Sequence, residues 1–455
     1  MKNGKRSSFS GKLGYVLAAA GASVGLGNIW RFPYLAAKYG GGIFLIIYIV
    51  LALTFGYTMI VAETAIGRMT RKSPVGAFKS FGKKKWLSFG GWINAVIPVL
   101  IVPYYSVIGG WVIKYLVEYF RGNAKLLAED GYFTDFISNG VSTELCFVAF
   151  CAFTLIIIFA GVQNGIERVS KIMMPILIVL SVIIAVYSVT RPGALAGVKY
   201  FLVPNVKNFS WMTVVSAMGQ MFYSLSIAMG ILITFGSYMK KDTAIEDSTR
   251  NVEVFDTGIA IMAGLMIIPA VFAFSGGDPD TLQAGPSLMF ITIPKVFQNM
   301  GFGTVIGIVF FLLVLFAAVT SSIALTESAV STFEDELGWG RKKATVLVGV
   351  IMLALGSLSS LGYGPLAGIK IIGMQFLDLF DFLTNSVMMP IAALLTSLFV
   401  SRVVGIDKIE EEIIHGESAF RRKKVFVVMI KYLCPVFAII ILLSSVANAL
   451  GWIKM

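Results

Sequence analysis

Gly21-Ala22-Ser23-Val24-Gly25-Leu26-Gly27-Asn28 lies in the middle of an apolar run that is otherwise long enough to cross a bilayer. Three glycines and an amide weaken a helix there, at a depth where no water can satisfy the freed backbone groups. A second stretch of small and hydroxyl residues, Ser224-Leu225-Ser226-Ile227-Ala228-Met229-Gly230, interrupts another run five further along. Small residues also let neighbouring helices pack closely, so either stretch alone has two readings. Two of them at corresponding depths favour paired broken helices.

The chain around them is apolar throughout. Of its 455 residues, 57% are hydrophobic and only 14% charged, a charge content near half that of an ordinary water-soluble domain. A soluble fold of this composition would expose large apolar patches. With 35 Phe, 16 Tyr and 7 Trp it is too aromatic for disorder. Apolar runs occupy 13–37, 42–67, 90–120, 145–162, 166–190, 212–238, 254–275, 302–333, 344–362, 374–401 and 427–451. None alternates strictly enough for a barrel strand, so the expected architecture is an all-α membrane protein of eleven spans. The first run carries Arg31 and no small-residue cleavage site, so it reads as a span and not as a signal peptide.

Loop charge sets the expected orientation. With the N-terminus inside, 25 of the 37 basic residues fall on the cytoplasmic side against 8 on the other, leaving Arg31, Lys38, Lys114 and Lys431 within or beside spans. The C-terminus is then outside. The net charge of +12 is mostly topology, and no basic stripe interleaved with aromatics points to nucleic acid. Cys146, Cys151 and Cys434 all fall in spans and read as small buried hydrophobes. His415 stands alone in a charged loop, so neither a His-based triad nor a zinc site can be assembled.

An unwound turn in a membrane helix exposes carbonyl oxygens at the end of one half and N–H groups at the start of the next. Carbonyls suit a bare cation and N–H groups suit a carboxylate. A zwitterionic or carboxylate-bearing solute with a monovalent cation meets both needs. Paired broken helices in inverted halves mark the binding site of many secondary transporters.

The string Gly25-Leu26-Gly27-Asn28-Ile29-Trp30-Arg31-Phe32-Pro33-Tyr34 resembles the first-span signature of the neurotransmitter:sodium symporter family. The likeness extends to Gly40-Gly41-Gly42, Gly219-Gln220 and Thr320-Ser321-Ser322, and over essentially the whole chain. Eleven spans resemble the bacterial subset that carries hydrophobic and aromatic amino acids. The resemblance implies a LeuT-type fold, an inverted five-plus-five repeat with broken first and sixth helices. Its segments would be a cytoplasmic 1–12, a first repeat 13–190, an extracellular loop 191–211, a second repeat 212–401, a cytoplasmic loop 402–426 and a last span with a short external tail, 427–455.

The resemblance further implies two sodium sites, while the departures at Asp256 and Ala260 lead to the expectation of no chloride. The first would use the Ser23 carbonyl, Asn28, Ser224, Asp256 and the substrate carboxylate. The second would use carbonyls of Gly21, Val24 and Ala317 with the hydroxyls of Thr320 and Ser321; oxygen donors suit a hard cation. A membrane Thr or Ser also bonds back to its own helix, the competing reading for the last two. Leu26 and Gly27 N–H groups with the Tyr105 hydroxyl would hold the substrate carboxylate, and Ser23, Gly25, Ser224 and Ser321 would border the ligand. Ala22, Ile101, Phe222, Tyr223, Ser226, Met229 and Leu325 would line its side-chain pocket. Arg31 with Asp381 matches an outer gate; Arg6 with Asp335, beside Phe9, matches an inner one. Glu63 is placed to bond to the unwound sixth span.

Two departures from the family pattern stand out. Asp256 replaces the Asn of many relatives, and Ala260 holds the place of a chloride-binding serine. A fixed carboxylate would supply the charge that chloride supplies elsewhere, and a proton would neutralise it when sodium leaves. Tyr223 replaces the usual Phe lid. In the fifth span Gly165 and Pro175 match a spacing of the bacterial subset that would allow local unwinding, or else a plain helix start and kink.

The expected function is sodium-coupled import of a hydrophobic or aromatic L-amino acid in a bacterial plasma membrane, by a monomer or weak homo-oligomer. A small neutral amino acid as substrate, or a sensor or channel on the same scaffold, are the alternatives. An enzyme would need convergent catalytic groups, which the spans lack.

Overall fold

The computed structural model describes residues 6–276, 285–449 and 452. Among these, nine continuous helices are long and apolar enough to cross a membrane. They are Gly42–Thr70, Lys85–Phe120, Gly140–Phe159, Val162–Val189, Ile245–Ser275, Gly303–Leu337, Arg341–Leu361, Phe376–Val404 and Lys423–Asn448. Lys12–Ser23 and Gly27–Lys38 form a further crossing bent by 53°. Trp211–Ser224 and Ile231–Ser237, parted by a run of turns and each too short to cross alone, are numbered as the sixth span. In chain order the two broken helices are spans 1 and 6.

Several spans run past the limits that hydropathy sets. Span 7 begins at Ile245, not near 254, because helical hydrogen bonding continues into polar sequence. Glu246 and Asp247 sit in its first turn, where the helix dipole favours acids. Spans 3 and 8 pack along each other, and span 1 lies against spans 5, 7 and 8. The second half of span 6 packs on span 2. The two breaks therefore face each other at the centre of the bundle.

The breaks differ in kind. In the first, Val24 is extended (φ −75°, ψ 93°), and Gly21, Gly25 and Gly27 keep ordinary φ values. Their role is close approach. A Cβ on Gly25 would lie 2.7 Å from Ser321 Oγ, and one on Gly27 would lie 2.6 Å from the Tyr223 ring. The second break uses left-handed backbone at Ser226 (φ 53°), Ala228 (φ 58°) and Gly230 (φ 68°). At a non-glycine residue this costs about 1–3 kcal/mol, so neighbours must hold it. Ser226 Oγ donates to the Ala22 carbonyl at 3.0 Å, and Ala228 N donates to Glu63 Oε1 at 2.8 Å. Each break is thus secured by partners outside its own helix.

Candidate functional site

A cavity of about 350 Å³, counting the part open to solvent, lies between the breaks. Span 1 contributes Ala22, Ser23, Gly25, Leu26, Gly27 and Asn28, and span 3 contributes Ile101 and Tyr105. Span 6 adds Tyr223, Ser224, Ser226 and Met229, and span 8 adds Ser321 and Leu325. Of the residues expected around the ligand, only Phe222 is elsewhere. It lines the outer chamber and packs against Phe55 at 5.4 Å. Consecutive helical residues point about 100° apart, so Tyr223 on the wall turns Phe222 away. One end of the cavity is polar, with Leu26 N donating to the Tyr105 hydroxyl at 3.3 Å; Ile101, Met229 and Leu325 make the rest apolar.

At the span 1 break, Asn28, Ser224 and Asp256 converge. Asp256 is fully buried. Its Oδ1 accepts from Asn28 Nδ2 and from Ser224 Oγ, each at 2.8 Å. Its Oδ2 accepts from the Tyr48 hydroxyl at 2.8 Å, and that hydroxyl is 3.2 Å from Ser224 Oγ. Asn28 Oδ1 in turn accepts from Gly25 N at 3.2 Å. Tyr48 is absent from the sequence-based site. Its only sequence signal is one hydroxyl in the apolar stretch Gly42–Leu51. Ala260 is buried one helical turn beyond Asp256. Ser23 Oγ bonds back to the Ala19 carbonyl at 3.1 Å.

A second oxygen cluster joins spans 1 and 8. Ser321 Oγ reaches the carbonyls of Gly21 and Ala22 at 3.2 Å and that of Val24 at 3.4 Å. Thr320 Oγ1 bonds back to Phe316 and Ala317 carbonyls at 3.0 and 3.2 Å. The two hydroxyls therefore differ, with Thr320 serving its own helix while Ser321 crosses to the break. Gly21, Val24 and Ser321 share one set of contacts, while Thr320 and Ala317 form their own within span 8. Among the described residues no cluster of three or more His, Cys, Asp or Glu is set for a metal ion. The donors are amide, hydroxyl and carbonyl oxygens with a single carboxylate, which fit an alkali cation.

The two expected gates are in different states. Arg6 Nη1 pairs with Asp335 Oδ1 at 2.6 Å, and the guanidinium also donates to Ser237 and Ser331. Asp335 Oδ2 accepts from Ser73 N at 2.7 Å. Phe9 is buried edge-on against Tyr15, Phe235 and Tyr238. That end is closed. Arg31 and Asp381 line one outer chamber, of about 1240 Å³ including the part open to solvent, without forming an ion pair. Arg31 sits 5.4 Å over the Tyr223 ring. Asp381 accepts from Asn385 Nδ2 at 2.6 Å and from the Tyr104 hydroxyl at 3.2 Å. Tyr223 thus lines both this chamber and the cavity between the breaks, with Arg31 over its ring.

The model of the sodium:neurotransmitter symporter family matches residues 6–130 and 131–452. An uncharacterized sodium-dependent transporter of Bacillus subtilis, YhdH, is 34% identical over 98% of this chain and 99% of its own length. The human sodium- and chloride-dependent GABA transporter 2 is 26% identical over 90% of this chain and 75% of its own. A crystal structure of MhsT in complex with L-phenylalanine superposes with a TM-score of 0.86 at 35% identity, covering 97% of this chain and all of that one. On this match and on two broken helices framing a cavity between oxygen clusters, the chain belongs to the sodium:neurotransmitter symporter family, and is a sodium-dependent membrane transporter, not an enzyme.

Proposed function

We propose that the protein imports a hydrophobic or aromatic L-amino acid together with sodium, by alternating access in a bacterial plasma membrane with the N-terminus cytoplasmic. The observation that carries this reading is the cavity between the breaks, polar at Leu26, Gly27 and Tyr105 and apolar at Ile101, Met229 and Leu325. A substrate carboxylate would accept from the first group while its side chain fills the second. The L-phenylalanine bound to MhsT supports the same class.

Two sodium ions are read as cargo, one with Ser23, Asn28, Ser224, Asp256 and the substrate carboxylate, the other with Gly21, Val24, Ala317, Thr320 and Ser321. If the substrate carboxylate completes the first site, each ligand raises the other's affinity. Asp256 would keep a permanent negative charge beside the cation, so chloride is not needed. Bound cargo would draw Arg31 and Asp381 together over Tyr223, after which the Arg6–Asp335 pair parts to release both solutes. The unpaired outer residues and paired inner ones support an outward-facing starting state.

The test is uptake into proteoliposomes of radiolabelled phenylalanine, leucine and glycine under an inward sodium gradient. Accumulation of the large residues above equilibrium, sustained when gluconate replaces chloride, is the expected result. Uptake that only equilibrates sinks coupling, and loss of most uptake in gluconate sinks chloride independence.

A further inference from the structure

The first helix has no cap of its own. Gly11 stands at its N-cap position, without a side chain to accept a bond, and its first turn carries no acid. Helix N-termini left this way want an acceptor with negative charge. Span 5 supplies the negative charge, though its bonds go to Ser10, the residue before the cap. Glu167 closes the π-helical turn Val162–Glu167 that begins span 5, and its side chain is almost fully buried. The carboxylate accepts from Ser10 N at 2.8 Å and from the Ser10 hydroxyl. Around it, Gln163 Nε2 donates to the Ser8 carbonyl and Lys240 Nζ to the Ser10 carbonyl, both at 2.7 Å. Gly14 allows the approach, since a Cβ there would lie 2.4 Å from the Glu167 carboxyl.

We propose that Glu167 is a positioning residue that clasps the segment Ser8–Ser10 just ahead of span 1, and so ties closure of the inner end to the distorted first turn of span 5. The segment it holds is continuous with Phe9 and with Arg6 of the closed Arg6–Asp335 pair. Opening that end must lift Ser10 off the carboxylate. Lys171, one turn along the same span, stays paired with Glu167 at 2.6 Å. Release therefore leaves no stranded charge, which makes the clasp reversible. Straightening or unwinding of the π turn moves Glu167 and frees the segment.

The inference rests on the alternating-access reading, and the experiment separates the two. In a background with Cys146, Cys151 and Cys434 replaced by serine, a single Thr234→Cys reports inner opening. Thr234 is buried in span 6 next to Phe235, which Phe9 covers. Labelling by a water-soluble maleimide is followed in detergent with and without sodium and phenylalanine. Glu167→Gln and Ser10→Ala should each raise labelling in sodium about tenfold, the size of one lost charge-assisted bond. The double variant should label no faster than Glu167→Gln alone, because the hydroxyl that Ser10→Ala removes acts through the Glu167 and Lys171 pair that holds it. Sodium-dependent phenylalanine binding should keep its capacity, which a merely misfolded variant would lose. Unchanged labelling in both single variants, or multiplied effects in the double, overturns the clasp. Wild-type labelling that ignores sodium and phenylalanine counts against alternating access, while the comparison of single and double variants still decides the clasp. Should Glu167→Gln fail to fold, exposed Ser10 gives the same readout alone.

Discussion

Asp256→Asn separates charge from shape at the proposed first sodium site. The carboxylate is fully buried and takes three donors at 2.8 Å, two on Oδ1 and the Tyr48 hydroxyl on Oδ2. An asparagine with its oxygen at the Oδ1 position keeps the bonds from Asn28 and Ser224. Its amide then faces Tyr48, whose hydroxyl can turn to Ser224 Oγ, 3.2 Å away. Geometry survives and the charge is lost. Two unit charges about 4 Å apart at an effective dielectric of about 20 interact by about 4 kcal/mol. Allowing half of that for relaxation, sodium affinity should fall by about 2–4 kcal/mol, roughly 30- to 1000-fold. The assay is sodium-dependent binding of labelled phenylalanine to purified protein, titrated in gluconate and again in chloride. Chloride should restore part of the loss, since the hydroxyls of Tyr48 and Ser224 then have an anion to serve. Sodium affinity in gluconate within threefold of wild type would refute the assigned role of Asp256.

Gly25→Ala places a Cβ 2.7 Å from Ser321 Oγ and 3.1 Å from the Tyr105 hydroxyl. Amino-acid binding should weaken at least about tenfold, and overpacking should cost about 1–3 kcal/mol of stability; calorimetric titration beside a melting curve checks both. Ser321→Ala removes the hydroxyl that reaches three carbonyls of the first break. The Hill coefficient of sodium-dependent binding should drop toward about one, as loss of one of two coupled ions requires. Arg68 is fully buried against Glu412 at 2.7 Å and also donates to backbone carbonyls of Lys241, Thr243 and Glu412. Arg68→Met should destabilise by about 3–5 kcal/mol, read as a fall in melting temperature, and Arg68→Met/Glu412→Met should recover part of it.

Much of this molecule is written in one dimension. Crossing a bilayer takes a run of about 20 apolar residues whatever the neighbours do, so the spans can be counted from hydropathy. Both breaks announce themselves because small and hydroxyl residues are conspicuous inside such runs. The helix ends are harder. Span 7 gained a polar turn and more at its start because hydrogen bonding does not stop where hydrophobicity does. Residues that approach the ligand cavity could be named because they match a long family signature. Phe222 could not be told from Tyr223 in this way, since one residue of helical rotation decides which faces the cavity.

Long-range contacts that no family signature carries were closed to sequence reading. Tyr48 in span 2 meets Asp256 in span 7 across 208 positions, and Glu167 meets Ser10 across 157. A tyrosine or glutamate near a span carries no mark of its partner. The sequence by itself determined that this chain is a membrane bundle broken at two places, because burial in lipid constrains each segment alone. Only the tertiary structure decided that Tyr48 joins Asp256, that Arg6 and Asp335 are paired while Arg31 and Asp381 are not, and that Glu167 of span 5 holds Ser10. Those features depend on distances of a few ångströms between helices, and packing alone sets them.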